Sequence, residues 1–159
     1  AIDIELSSRD IIDDVIHLAH HANKAIVASY HNFEETPLKN YLESLADEAQ
    51  ACSAHILKIA ATPHTQTDLK SLATFTATAR IPVVTIAMGE LGAISRVLFP
   101  ALGSLFTFAN FCHESAPGQL NYAETAQLLA RFYPEYQAEK PEALQGIESL
   151  TRKSSALEQ

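Results

Sequence analysis

Lys58 interrupts an apolar run, "AHILKIAAT", in which period-two alternation puts Ile56, Lys58 and Ala60 on one face of a strand and Leu57 and Ile59 on the other. An amine inside a buried strand must be paired, neutralised or functional, because desolvation disfavours its charged form. A neutral amine attacks carbonyl carbon, which is the condition for a Schiff base. The competing reading has Lys58 near a strand end with its ammonium in solvent. His31 closes the run "KAIVASYH" and begins a loop, the position where α/β proteins keep catalytic groups. It reads either as a general acid or base or as a structural histidine.

Arg96 lies in "GELGAISRVLFPALGS" and offers a planar fork that suits a carboxylate, or else a surface ion pair. In "SAPGQ", Ser115 and Gln119 can hydrogen-bond uncharged or anionic oxygens, while Pro117 and Gly118 set a tight turn. The segment is an ordinary loop turn or a lid. Gly89, Gly92 and Gly103 admit a ligand close to the backbone or simply allow turns. His17 and His21 stand one helical turn apart in "HLAHH", a spacing that can share a metal. They read as part of a solvated helix face, and no metal is expected.

These residues need elements to hold them. Five short apolar runs read as strands: "IDIEL" (2 to 6), "KAIVASY" (24 to 30), "ILKIAA" (56 to 61), "PVVTIAM" (82 to 88) and "LFTFAN" (105 to 110). Their near-continuous apolar character suits a parallel sheet buried on both faces. Helical segments alternate with them. "SSRDIIDDVIHLAHHA" opens on Ser and Asp cap candidates and spaces Ile11, Val15, Leu18 and Ala22 for one face. "TPLKNYLESLADEAQACSA" has Thr36 as a cap, Pro37 at the first helical position, and Leu38, Leu42 and Leu45 on one face. "TQTDLKSLATFTATAR" and "NYAETAQLLARFY" read the same way. Strict βα alternation predicts a parallel α/β sheet, doubly wound or barrel. No GxGxxG or GxxxxGK[ST] follows any strand, which disfavours the nucleotide-binding versions.

With 159 residues, 47% of them hydrophobic, the chain is long enough for one domain with a core. Eleven basic against nineteen acidic residues give a charge of −8, and no basic cluster stands out, so nucleic acid is not an expected partner. No apolar stretch approaches the about 18 residues of a membrane span, and no signal-like start is present. Cys52 and Cys112 form neither a zinc pattern nor a disulfide framework. A cytoplasmic protein away from membranes is expected. Residues 135 to 159 are polar and read as a tail, partly helical or disordered, behind a domain at 1 to 134.

Together the segments resemble type I 3-dehydroquinate dehydratase, the Schiff-base dehydroquinase. "SYHNFEETP" is similar to the family's strand-end motif around its catalytic histidine, and "LKIAATP" to its lysine strand. "MGELGAISRVLFPALGSLFTFA" resembles the long glycine-arginine segment, and "SAPGQL" the substrate-covering loop. The four motifs occur in the family's order.

The resemblance implies a (β/α)8 TIM barrel that dehydrates 3-dehydroquinate to 3-dehydroshikimate in aromatic amino acid biosynthesis, without a cofactor. It implies Lys58 as the Schiff-base nucleophile, His31 as general acid and base, and Arg96, Ser115 and Gln119 as substrate-binding residues. "SAPGQ" becomes a lid. By the same resemblance the first strand here is the family's fourth of eight, so the expected fold is a partial barrel of about five βα units. Such a sheet has open edges, and either a homodimer or association with a complementary N-terminal fragment is expected to cover them. A noncatalytic half-barrel, or an aldolase-type Schiff-base enzyme acting on another keto substrate, are the alternatives.

Overall fold

The structure, a computed structural model, describes residues 1 to 111 and 118 to 138. The first strand, β1 (Ile2–Glu5), is followed by α1 (Ile12–His21), β2 (Ile26–Asn32), α2 (Lys39–Ala51), β3 (Ile56–Ala61), α3 (Gln66–Thr78) and β4 (Val83–Ala87). Two short helices, α4 (Gly89–Gly92) and α5 (Ser95–Ala101), come next, then α6 (Tyr122–Phe132) and α7 (Pro134–Ala138). The strands form one parallel sheet in the order β1-β2-β3-β4. Each βα unit therefore lays its strand directly beside the previous one, as alternating apolar strands and amphipathic helices dictate. Backbone contacts divide the chain into two units, Ala1–Thr125, which holds the sheet, and Ala126–Gln159.

The two faces of the sheet differ. Ile4, Ile26, Ala28, Leu57, Ile59, Ala61, Val83 and Ala87 point to one side and pack with Ile12 and Ile16 of α1, Leu42 and Leu45 of α2, and Leu72 and Phe75 of α3. This is the main core. On the other side Ala60, Val84, Ile86 and Met88 pack against Ile56, and Lys58 of β3 stands on the same face. The β1–β2 half of that second face carries Asp3, Glu5, Ser29 and His31, so the expectation of strands apolar on both faces holds for β4 but not for β1 and β2.

Three local expectations are corrected. The buried stripe of α1 is Ile12, Ile16 and Ala19, whereas Ile11 and Leu18 are exposed; apolar residues occupy two overlapping stripes there, and only packing on the sheet chooses between them. Thr36 is not the cap of α2, which starts two residues later with Leu38 at the N-cap, no side-chain capping bond, and Leu38 itself in solvent. The fifth run does not become a strand. Ser104 bridges Val83 and Leu105 N–H bonds the Val83 carbonyl, but the next donor on β4, Thr85 N–H, goes to the Ser104 hydroxyl at 3.1 Å. A side chain has taken the place of a backbone acceptor, so the ladder stops after one bridge and Leu105, Phe106 and Phe108 remain exposed.

The helix ends show why the units are sharply bounded. Thr65 accepts from Asp68 N–H, and the Asp68 carboxylate accepts from Thr65 N–H at 2.9 Å and His64 N–H at 3.0 Å, a complete capping box for α3. Helices α1 and α2 both end in left-handed residues, Asn23 (φ 52°) and Ser53 (φ 61°). In each, paired bonds close the last turn: Lys24 N–H to Ala19 and Asn23 N–H to His20, then Ala54 N–H to Ala49 and Ser53 N–H to Gln50.

Candidate active site

Parallel register decides which polar side chains meet. Glu5 stands beside Ser29, Ser29 beside Lys58, and Lys58 beside Val84, while Asp3 pairs with Val27 and His31 with Ala60. Alternate residues share a face. Asp3, Glu5, Ser29, His31 and Lys58 therefore lie on one face of three adjacent strands, the face opposite the helices. Lys58 and His31, chosen separately from the sequence, occupy neighbouring strands on that common face.

Lys58 does not run out to solvent. Its side chain is 13% exposed, and Nζ donates to Asp3 Oδ2 at 2.9 Å. The Phe108 ring centre lies 5.2 Å from the same nitrogen, within cation–π range. Partial burial of Asp3 acts to raise its carboxyl. The hydrogen bond and charge of Lys58, with the charge of His31, outweigh that effect and hold Asp3 below the usual carboxylate value.

His31 is held by a second carboxylate. Its Nδ1 lies 2.7 Å from Glu5 Oε2, its backbone N–H donates to Glu5 Oε1 at 3.0 Å, and Ser29 Oγ donates to Glu5 Oε2 at 3.1 Å. The Phe33 ring stacks on the imidazole with centres 6.3 Å apart. With Nδ1 turned to a carboxylate, the neutral ring carries its proton there and leaves Nε2 as the free base. An imidazole held in this way can act as an oriented acid and base.

Arg96 is buried, not a surface ion pair. It is 2% exposed, and its Nε and Nη2 have no hydrogen-bond partner among the described residues. Burial alone pulls its guanidinium below the ordinary arginine value. The preceding residue anchors α5 to the end of β4, Ser95 Oγ accepting from Ala87 N–H at 3.1 Å, so Arg96 enters the fold at the C-terminal end of that strand. A buried cation with unfilled donors suits a planar anion.

Ser115 lies outside the described residues. Gln119 is buried, and its carbonyl accepts from Asn110 Nδ2 at 3.0 Å. Gly118, at φ 71°, sits so close to Gly89 that a Cβ there would fall 2.1 Å from the Gly89 carbonyl oxygen. The C-terminal end of "SAPGQ" is thus seated on the turn that leaves β4. His17 and His21 form an edge-on ring pair with centres 4.5 Å apart on the exposed side of α1. Among the described residues no group of three or more metal-binding side chains occurs.

Asp3, Glu5 and Ser29 were missed in the sequence. The signal was present, because two acids in "IDIE" break an apolar strand as plainly as Lys58 breaks "ILKIAA".

The model of one protein family, type I 3-dehydroquinase, matches residues 1–134. The chain belongs to the type I 3-dehydroquinase family. The 3-dehydroquinate dehydratase of Hydrogenobaculum sp. is 37% identical over 131 residues, a match covering 82% of this chain and 60% of that protein. The enzyme of the same name from Enterococcus faecalis is 36% identical over 137 residues and is covered to 54%. Among solved structures, 3-dehydroquinate dehydratase of Geobacillus kaustophilus superposes with a TM-score of 0.78 at 34% identity, over 87% of this chain and 54% of that one. The type I enzyme of Clostridium difficile, solved with covalently modified comenic acid, gives 0.75 at 31% identity, over 84% and 55%. This member of the family therefore spans about half to three-fifths of the length of the relatives it matches. Among the described residues of this chain, no helix is long and apolar enough to cross a membrane.

Proposed function

We propose that this chain carries the lysine and histidine of a cytoplasmic 3-dehydroquinate dehydratase and works through a Schiff base. The observation that carries the reading is the common sheet face on which the Lys58 amine stands beside an imidazole oriented by Glu5. Once deprotonated, the amine adds to the substrate's keto carbon, and the carbinolamine takes up one proton and loses water to give a cationic iminium. The iminium acidifies the neighbouring C–H, whose proton passes to His31 Nε2 while the electron pair moves toward the iminium nitrogen. The same imidazole then returns the proton to the departing hydroxyl, so that water leaves. Hydrolysis of the imine frees 3-dehydroshikimate and the amine.

In this reading the unfilled donors of Arg96 take the substrate carboxylate, and Ser115 and Gln119 hold its hydroxyls from the lid. Residues 1 to 134 are the catalytic body, in keeping with the span of the family match, and 135 to 159 a tail. The sheet is part of a barrel whose remaining strands come from another chain or from an N-terminal piece. Support for that comes from the β1 edge, from Phe106 and Phe108 exposed beyond β4, and from the share of the relatives' length that is matched.

Borohydride reduction in the presence of 3-dehydroquinate, followed by peptide mass spectrometry, is the test. A reduced adduct on Lys58 is the expected result. Adducts spread over surface lysines, or none, would reject the mechanism; an adduct on Lys58 without turnover would favour a chain that binds substrate but needs the rest of the barrel.

A further inference from the structure

The mechanism above leaves one charged contact of the site without a role, the Lys58–Asp3 pair. We propose that Asp3 is the counter-ion of the Lys58 nitrogen, holding it in place as ammonium before the imine forms and balancing it again as iminium afterwards. The second half of this statement rests on the Schiff-base reading; the first half does not.

The geometry singles out Asp3. The groups that face Lys58 are Asp3 and Glu5 from β1, Ser29 and His31 from β2, Val84 and Ile86 from β4, and Phe108 from the segment after α5. Glu5 already accepts from Ser29 and from the His31 backbone and contacts the His31 ring. Among the described residues only Asp3 bonds Nζ, at 2.9 Å. The two acids of β1 are thus divided, one to each chemical group on the face.

Charge follows the same division. The ammonium must shed one proton before it attacks, and a carboxylate held below its usual value is a poor acceptor, so that proton leaves to water. The carbinolamine then takes up one proton and loses water, which restores a unit positive charge at the same nitrogen. Asp3 stays ionised throughout. It favours both cationic states over the neutral amine between them, so its removal should leave the amine more reactive and the iminium more easily deprotonated.

The test uses the intact chain, Asp3→Asn and Asp3→Glu. Acetic anhydride labels neutral amines, and peptide mass spectrometry gives the rate at Lys58, with the exposed Lys39 as internal standard. In Asp3→Asn, labelling at pH 7.5 should rise about threefold to tenfold, the half-exposed acid giving less than a fully buried one would. Asp3→Glu should return the rate toward that of the unaltered chain. An unchanged rate at pH 7.5, or a rate in Asp3→Glu as high as in Asp3→Asn, overturns the counter-ion role. Borohydride trapping with 3-dehydroquinate reads the iminium half: Asp3→Asn should lose trapping at a lower pH than the unaltered chain. Trapping lost at the same pH in both rejects that half, and failure to trap in the unaltered chain rejects the Schiff-base reading as well, while the labelling result still decides the ion pair.

Discussion

Removing the amine and removing the imidazole should have different consequences, because the proposed mechanism assigns them to different atoms of the substrate. Lys58→Ala should abolish imine trapping while the chain still folds. His31→Ala should still trap, but with turnover slowed on the order of 10² to 10⁴, the range for a lost general acid–base. Stopped-flow turnover beside mass spectrometry separates these outcomes, and equal loss of trapping in both variants would reject the division of roles. Arg96→Met should raise stability in urea by about 1 to 3 kcal/mol, since it replaces a buried, incompletely bonded cation with an apolar chain of similar reach, and it should weaken substrate binding. Acidification tests Asp3. Its carboxyl lies below the ordinary value of 3.8 in the folded chain, so its contribution is complete above that value and is lost as pH falls through the lower folded value. The stability difference between the unaltered chain and Asp3→Asn should therefore be constant above about pH 5 and shrink below pH 4, read by denaturant melts at stepped pH. Lys58 stands out in the sequence because it breaks an apolar run, and His31 because it closes one where a loop begins. Their partners were not legible, since assigning Asp3 to the lysine and Glu5 to the histidine requires the register of three strands that meet from distant parts of the chain.

Element ends are the cheapest places to test the fold without touching the site. Thr65→Ala should cost about 1 kcal/mol by removing the α3 capping bond. Ser53→Gly should gain about 0.5 to 1 kcal/mol, because a Cβ in the left-handed region is relieved at the end of α2. Thermal melts of both variants check the signs together. The contrast also shows where sequence is informative. Thr65 with Asp68 three residues on is a recognisable cap, whereas Ser53 sits where glycine or asparagine is usual and gives no warning that a helix stops there. β1 to β4 and the four main helices were each visible as runs of the right period. What could not be read was competition between equally apolar options: Ile11 against Ile12 for the buried stripe of α1, and strand against bridge at "LFTFAN", where one serine hydroxyl ends the ladder.

At the scale of the molecule, association is the expectation to measure. A sheet whose inner face joins a charged half to an apolar half, with exposed phenylalanines beyond β4, should not stay alone in solution, and sedimentation should give a mass above that of one chain. A monodisperse single chain turning over 3-dehydroquinate at about 1 s⁻¹ or faster would show instead that these units suffice. The parallel class of the sheet was evident from βα alternation; how far it curves toward a closed barrel is a property of strands meeting edge to edge, which no single run encodes. The order β1-β2-β3-β4 bears on how such a chain is made as well as on what it does. Every strand pairs with the one synthesised just before it, so a nascent chain emerging from the ribosome always finds its template already laid down, and each closure spans only one βα unit. Length can then be added or removed at either border of the sheet without re-threading what lies between. A gene cut between units would leave the strand order of each piece intact and expose one strand edge on either side of the cut, through which the pieces could pair.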